Sequence, residues 1–191
     1  EAAHRPLARV GIAGATGYAG QELVRLVARH PAVRLTVAMS SAATSTPRTM
    51  PALARIFDAP VAPLDIDRLS VDTDITFLAL PEAASAEVGT ALVNRGVRVI
   101  DLSGAFRIRD DAQRARWYPA TAALPAGVVY GLPERHASAV RAARLVSCPG
   151  CYPTATLLAL EPLREAGLLR GSVAIDAKSG ISGAGKSPSE R

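Results

Sequence analysis

The stretch VGIAGATGYAG, residues 10–20, joins an apolar segment to an amphipathic one, and it decides the fold. Val10–Ile12 is short and apolar with β-branched residues, which is typical of a buried strand. From Ala19 to Arg29 the larger apolar side chains fall on one face at helical spacing, and a His-Pro pair then ends the pattern. The stretch therefore predicts a strand, a glycine-rich turn and a helix in succession.

Four glycines stand three residues apart in this turn, a pattern close to the GxGxxG dinucleotide fingerprint but spaced differently. Glycine lets the backbone approach a ligand closely, and the amides of Ala15–Ala19 would lie at the N-terminal end of the helix. Because that end carries partial positive charge and unpaired donors, it favours a pyrophosphate. The simpler alternative, in which the glycines only mark a tight turn, stays open.

The second predicted strand, residues 34–40, ends in Ser40 and Ser41, with Arg48 nearby. An NAD-specific Rossmann domain usually has an Asp or Glu here to bind the ribose 2′-hydroxyl. Hydroxyl and guanidinium groups bind a 2′-phosphate, which a carboxylate would repel. We therefore expect NADP rather than NAD as the cofactor.

Apolar strands alternate with helices along the rest of the chain, and this order predicts an α/β fold whose parallel sheet is covered on both faces. The proline-rich residues 44–64 predict an irregular excursion with at most a short helix. The fold class is therefore a doubly wound parallel sheet of the Rossmann type. Further predicted strands are 74–80, 97–103, 144–147 and 172–179, and further predicted helices are 82–96, 134–143 and 152–169.

Composition limits the classes of partner. No apolar run reaches the roughly 18 residues that span a membrane, and the start of the chain lacks the pattern of a signal peptide. The formal net charge is +5, but the basic residues are scattered and only 4 Tyr, 3 Phe and 1 Trp accompany them. That pattern favours an anionic small molecule over nucleic acid. We expect a cytoplasmic protein with neither a membrane nor a nucleic-acid partner.

Cys148 and Cys151 are the only two cysteines, and their spacing fits a redox pair, half of a metal site, or one nucleophile with a neighbour. A zinc site needs about four ligands, and the 3 histidines are widely separated, so we expect no metal. Pro149 and Gly150 precede a predicted helix that starts at or just after Cys151. Because a helix N-terminus stabilises a thiolate, Cys151 is the candidate nucleophile, and we expect Cys148 to be a small buried neighbour. The redox pair stays open as the alternative.

Six segments along almost the whole chain form a recognisable set: GIAGATGYAGQELVRLV (11–27), FLALP (77–81), DLSGAFR (101–107), VYGLPE (129–134), PGCYPTATLLAL (149–160) and SGISGAGK (179–186). In this order they resemble one enzyme family, the N-acetyl-gamma-glutamyl-phosphate reductases, in which PGCYPT is the active-site signature. The family consists of NADPH-dependent enzymes of arginine biosynthesis, related to aspartate-semialdehyde dehydrogenase.

The resemblance implies that Cys151 attacks an acyl phosphate, that phosphate leaves, and that NADPH reduces the resulting thioester to N-acetylglutamate 5-semialdehyde. Arg107 is a candidate for binding substrate phosphate or carboxylate, with a solvated charge as the alternative. Glu134 is a candidate for orienting a substrate group, with a charge at a helix N-terminus as the alternative. The cofactor site implied by the resemblance is lined by Gly14, Ala15, Thr16, Gly17, Tyr18, Ala19, Ser40, Pro81, Ser182, Gly183 and Ala184.

The resemblance also implies an NADP-binding domain over residues 1–148, followed by the incomplete start of an α+β catalytic and dimerisation domain over 149–191. The full-length protein is then expected to form a homo-oligomer, and the family's acid/base histidine lies beyond Arg191. Glu82 replaces the family's usual histidine, and Ala105 its usual aspartate, which leaves fine details of both pockets open. The alternatives are the same chemistry on N-acetyl-aminoadipyl phosphate or aspartyl phosphate, and a noncatalytic NADP-binding fragment.

Overall fold

The sheet of the computed structural model confirms the predicted fold class. The model describes residues 8–42, 46–119, 121 and 123–185. The strands in this part are β1 (Ala8–Ala13), β2 (Val33–Met39), β3 (Ile75–Leu78), β4 (Arg98–Asp101), β5 (Val128–Tyr130) and β6 (Leu145–Ser147). They form one 6-stranded parallel sheet in the order β2-β1-β3-β4-β6-β5. Because β2 pairs with one side of β1 and the chain then crosses back so that β3 pairs with the other side, the sheet is doubly wound.

Helices connect the strands, as parallel crossovers require. Two short 3-10 helices, Pro51–Leu53 and Ile181–Ala184, lie outside the crossover helices. The α-helices of the described residues are α1 (Tyr18–Ala28), α2 (Ile66–Asp72), α3 (Glu82–Asn94), α4 (Asp111–Trp117), α5 (Pro133–Ala142) and α6 (Cys151–Glu165).

Two clusters of buried apolar side chains cover the two faces of the sheet. On one face Ile12 packs with Val24 of α1. On the other face Leu78 packs with Leu69 of α2 and Leu92 of α3. Each fully buried side chain of this size contributes about 1.5–3 kcal/mol. The strands are therefore held rigidly, and the loops at their carboxyl ends extend from a fixed base.

Two helices and one strand had no sequence prediction. α2 begins after Asp65, whose Oδ1 accepts from the Arg68 amide at 2.9 Å. α4 begins after Asp110, whose Oδ1 accepts from the Gln113 amide at 2.8 Å. These helices and β5 are too short for an apolar period to be visible, so the capping aspartates are the signal that would have located the two helices.

The predicted strand over residues 172–179 is wrong, because the structure has neither a helix nor a strand there. A strand needs a hydrogen-bonded neighbour, and no strand of the described sheet pairs with this segment. α6 is also shorter than predicted: it ends at Glu165, and Gly167 turns the chain with a φ of 69°. Within the described residues, no side chain of α6 is fully buried.

Residues 46–64 agree with the predicted irregular excursion. They contain the short helix Pro51–Leu53 and an isolated antiparallel bridge between Arg48 and Val61. A parallel bridge between Met39 and Ala62 attaches the excursion to the end of β2. The first residues of the prediction, 44 and 45, lie outside the described residues.

Candidate active site

The glycine-rich turn connects β1 to α1 as predicted. The amides of Gly14 and Ala15 donate to the Met39 carbonyl at 2.9 and 2.8 Å, which fixes the turn against the end of β2. Gly17 is the extended N-cap of α1 and supplies no side-chain cap, and the described first turn of α1 has no acidic residue. Nothing on this part of the helix neutralises its partial positive charge, so the turn suits an anionic group.

Two of the glycines lie where the backbone passes too close for a side chain. Gly14 has a φ of 89°, and a Cβ built on it would lie 2.2 Å from the Ala79 carbonyl oxygen. A Cβ on Gly20 would lie 2.0 Å from the Gly14 carbonyl oxygen. These contacts pack the ends of β1 and β3 and the start of α1 together. Close backbone packing of this kind is one of the roles that glycines have in the first βα turn of dinucleotide-binding sheets.

Three more of the predicted cofactor residues lie at the same edge of the sheet. Ser40 follows β2 and is buried, and its Oγ donates to the Ala42 carbonyl at 2.9 Å. Ser41 is exposed. Pro81 is the exposed N-cap of α3, just after β3. The structure thus brings Ser40 and Pro81 to the carboxyl ends of the strands that flank β1, where doubly wound sheets bind their ligands.

Ser182, Gly183 and Ala184 belong to the short 3-10 helix Ile181–Ala184. Two local hydrogen bonds form this turn: the Gly183 amide donates to the Gly180 carbonyl, and the Gly185 amide donates to the Ser182 carbonyl. Its place in a cofactor site stays a prediction.

Cys151 is the first residue of α6 and is exposed. Gly150, with an extended φ of −68° and ψ of 164°, is the N-cap. Its carbonyl accepts from both the amide and the Oγ1 of Thr154, each at 2.9 Å. The thiol therefore stands exposed at the N-terminal end of a helix, where the backbone amides carry partial positive charge.

Cys148 lies three residues before Cys151 and has a different environment. Its thiol is partly buried. Burial, together with the nearby Asp101 carboxylate, raises the pKa of this thiol to about 11, against the opposing charge of Arg107. Cys148 is therefore protonated at neutral pH, and a protonated thiol is a poor nucleophile.

Arg107 lies under the turn that presents Cys151. Its Nε donates to the Cys148 carbonyl at 2.9 Å, and its Nη2 donates to the Leu102 carbonyl at 2.8 Å. The remaining nitrogen, Nη1, lies 3.2 Å from the position of a Cβ built on Gly150. Sequence reasoning proposed Arg107 for substrate binding and missed these backbone contacts, which join two loops that are far apart in the chain.

Other polar side chains lie near Arg107 and the loop around Gly104. Burial raises the pKa of the Tyr130 phenol, and the charge of the nearby Arg107 opposes that rise. A Cβ on Gly104 would lie 2.2 Å from Tyr118 Cε1 and 2.7 Å from Glu82 Oε1, so both side chains pack against the loop. Glu134 is exposed in the first turn of α5, which follows β5 at this edge of the sheet.

The described part of the chain has neither a metal-binding cluster of side chains nor a membrane-spanning helix. Over residues 8–42, 46–119, 121 and 123–185, no three His, Cys, Asp or Glu side chains are grouped so that they could hold a metal ion. No helix in those ranges has the length and apolar character needed to cross a membrane.

Solved structures share the fold. Aspartate semialdehyde dehydrogenase with NADP from Candida albicans has a TM-score of 0.57 at 19% identity, covering 85% of this chain and 48% of that one. Aspartate semialdehyde dehydrogenase II complexed with ASA from Vibrio cholerae has a TM-score of 0.56 at 19% identity, covering 83% of this chain and 47% of that one. At these identities the likeness concerns the fold alone.

Sequence relatives and family models are more specific. N-acetyl-gamma-glutamyl-phosphate reductases from Halorhodospira halophila and Bacillus subtilis are 47% and 41% identical to this chain over 93% and 95% of its length. The chain spans about half of these relatives, 53% and 54%. A model of the semialdehyde dehydrogenase NAD binding domain matches residues 9–143, and one of the semialdehyde dehydrogenase dimerisation domain matches residues 151–191. The chain therefore belongs to the semialdehyde dehydrogenase family.

Proposed function

We propose that this chain forms part of an NADP-dependent N-acetyl-gamma-glutamyl-phosphate reductase. The observation that carries the proposal is the exposed thiol of Cys151 at the start of α6, at the same sheet edge as the glycine-rich turn. The names of relatives at 41–48% identity support this substrate. The reaction converts N-acetyl-gamma-glutamyl phosphate into N-acetylglutamate 5-semialdehyde and inorganic phosphate.

The chemistry starts at Cys151. Its thiolate attacks the carbonyl carbon of the acyl phosphate, the carbon–oxygen bond to phosphate breaks with its electron pair, and a thioester remains on the sulfur. NADPH, when bound, supplies the hydride that reduces this thioester. The carbon–sulfur bond then breaks, which releases the aldehyde and returns the thiolate. One cysteine suffices, so Cys148 needs no redox role.

Other residues of the chain bind and orient the reactants. The start of α6 places partial positive charge beside the attacking sulfur. Arg107 Nη1, beside Gly150, is the nitrogen proposed to bind substrate phosphate, since Nε and one N–H of Nη2 already donate to backbone carbonyls. Glu134 is proposed to orient the substrate. The cofactor would be held by Gly14–Ala19 together with Ser40, Ser41, Pro81 and Ser182–Ala184.

The preference for NADP is a separate proposal and has its own test. The end of β2 offers Ser40 and Ser41, and no carboxylate stands at these two positions to repel a 2′-phosphate. We expect NADPH to bind at least about tenfold more tightly than NADH, and Ser41→Glu to remove most of that difference. Fluorescence titration of both cofactors measures this, with Ser41→Ala as the matched control for loss of the hydroxyl alone. Equal affinity for NADPH and NADH in the unaltered protein contradicts the preference.

Turnover tests the function. We expect a chain extended to the full length of its relatives to oxidise NADPH with N-acetyl-gamma-glutamyl phosphate at least about 100-fold more efficiently, in kcat/KM, than with aspartyl phosphate or N-acetyl-aminoadipyl phosphate. A preference for either of the other acyl phosphates would make that compound the proposed substrate. Cofactor binding without turnover on any of the three would favour the noncatalytic module.

The domain organisation, the oligomeric state and the cellular location are proposed from the same family membership. We propose a domain boundary between residues 148 and 149, so that the segment carrying Cys151 opens the second domain. A dimerisation-domain match over residues 151–191 supports assembly of the full-length protein as a homo-oligomer. A small anionic substrate and a nucleotide cofactor are consistent with a cytoplasmic enzyme.

A further inference from the structure

A buried polar cluster lies beneath the turn that presents Cys151. Asp101 is the last residue of β4 and is fully buried. It is the register partner of Ser147 at the end of β6, which is 1% exposed. Ser85 of α3 is also fully buried and interacts with the Asp101 carboxyl, although neither its Oγ nor Asp101 Oδ1 has a partner in hydrogen-bonding geometry. The proposed reaction uses none of these three side chains.

The carboxyl of Asp101 organises the loop that follows β4. Its Oδ2 accepts from the Ser103 Oγ at 2.8 Å, and the same Oγ accepts from the Ala105 amide at 3.1 Å. This relay sets the path of the backbone over residues 102–106, which leads directly to Arg107. Arg107 then closes the loop by donating to the Leu102 carbonyl at 2.8 Å.

The backbone of Asp101 and the side chain of Arg107 together hold Cys148. The Asp101 carbonyl accepts from the Cys148 amide at 2.8 Å, and Arg107 Nε donates to the Cys148 carbonyl at 2.9 Å. Both polar groups of Cys148's backbone are therefore fixed, three residues before Cys151. Any shift of the loop over residues 102–106 moves Arg107, and with it the chain that leads to Gly150.

A carboxyl in this place is costly to the fold. Burial raises the pKa of Asp101, and the Ser103 and Ser85 hydroxyls and the charge of Arg107 only partly oppose the rise. Apolar residues of similar size often replace buried charged groups without loss of stability. The sheet does not need the carboxyl for pairing either, because β4 pairs through its backbone. The contacts of the carboxyl point instead to the two loops of the active site.

We propose that Asp101 is a positioning residue for the nucleophile: through Ser103 and Arg107 it fixes the turn that holds Cys151 at the start of α6. The proposal rests on the proposed function only for the role of Cys151. Its test reads the reactivity of that thiol without any substrate, so it can fail or succeed independently of the reductase activity.

The test compares Asp101→Ala and Asp101→Asn in a Cys148→Ser background of the full-length protein. The rate of alkylation at Cys151 by iodoacetamide is followed from pH 6 to 10 by peptide-resolved mass spectrometry. We expect Asp101→Ala to lower the rate by about tenfold across this pH range, because the turn that holds Cys151 is no longer fixed in place. We expect Asp101→Asn, which keeps an acceptor for Ser103, to stay closer to the parent.

The matched control is Thr76→Val, which removes the buried hydroxyl pair between Thr73 Oγ1 and Thr76 Oγ1, 2.8 Å apart and away from the active-site loops. We expect it to lower the melting temperature without moving the rate–pH profile. If Asp101→Ala prevents folding, Ser103→Ala is tested in its place, because it breaks the same relay. A profile within twofold of the parent in the folded variant, at any melting temperature, overturns the proposal.

Discussion

Replacing Cys151 with serine is expected to reduce turnover of the proposed full-length reductase by at least about 10³-fold, while Cys148→Ser keeps most of it. Serine has nearly the shape of cysteine, so the fold and the helix start should be unchanged. Its hydroxyl, however, has no neighbouring base among the described residues of this turn and stays protonated, so it cannot form the acyl intermediate. Steady-state NADPH oxidation with N-acetyl-gamma-glutamyl phosphate measures both variants.

The difference between the two cysteines has a physical basis in their surroundings. With a pKa of about 11, the Cys148 thiol is almost entirely protonated at pH 7.5. Cys151 is exposed and occupies the N-terminal end of α6. The Cys148→Ser variant therefore removes a group that is almost always protonated, and it leaves the helix start intact.

Substrate-free alkylation provides the control for this prediction. At pH 7.5 one equivalent of iodoacetamide should label Cys151 first and Cys148 only slowly, and the label at Cys151 should abolish turnover. Equal loss of activity in the two serine variants, together with a disulfide between the cysteines in the active enzyme, would instead support the redox pair.

The parts of the site that the sequence predicts correctly depend on local chemistry. The turn between β1 and α1 needs glycine where one stretch of backbone packs closely against another, as at Gly14 and Gly20. The spacing of the glycines in the sequence indicates this requirement. The start of α6 at Cys151 is similarly local, because Pro149 and Gly150 set the backbone immediately before it. In both places a few consecutive residues contain the whole physical cause.

The parts that sequence reasoning missed depend on the order of strands in the sheet. β6 lies between β4 and β5, so Asp101 and Cys148 become neighbours although 47 residues separate them in the chain. Because these two loops lie side by side, Arg107 donates two hydrogen bonds to backbone carbonyls. The strand prediction over residues 172–179 is wrong for a related reason. The apolar pattern there fits a strand, but a strand forms only beside a hydrogen-bonded partner strand.

Gly14→Ala is expected to destabilise the protein by about 2–5 kcal/mol and to remove most of its affinity for NADPH. A non-glycine residue in the left-handed region costs about 1–2 kcal/mol, and the backbone of Gly14 has a φ of 89°. Forcing extra atoms into a packed site costs a further 1–3 kcal/mol or so, and here the new Cβ would meet the Ala79 carbonyl oxygen at 2.2 Å. Because that neighbour is backbone, β1 and β3 must move apart at the edge where the cofactor is proposed to bind.

Two other glycines separate these causes. Gly96 has a φ of 84° but no atom within 4 Å of its would-be Cβ, so Gly96→Ala should show the conformational cost alone. Gly17 has an ordinary backbone conformation, and its would-be Cβ meets only the Gly14 carbonyl oxygen at 3.5 Å, so Gly17→Ala should cost little in stability. Urea unfolding and NADPH titration of the three variants should rank stability loss as Gly14, then Gly96, then Gly17. A Gly14→Ala variant no less stable than Gly96→Ala would show that the ends of β1 and β3 do not meet as closely as the packing of this turn requires.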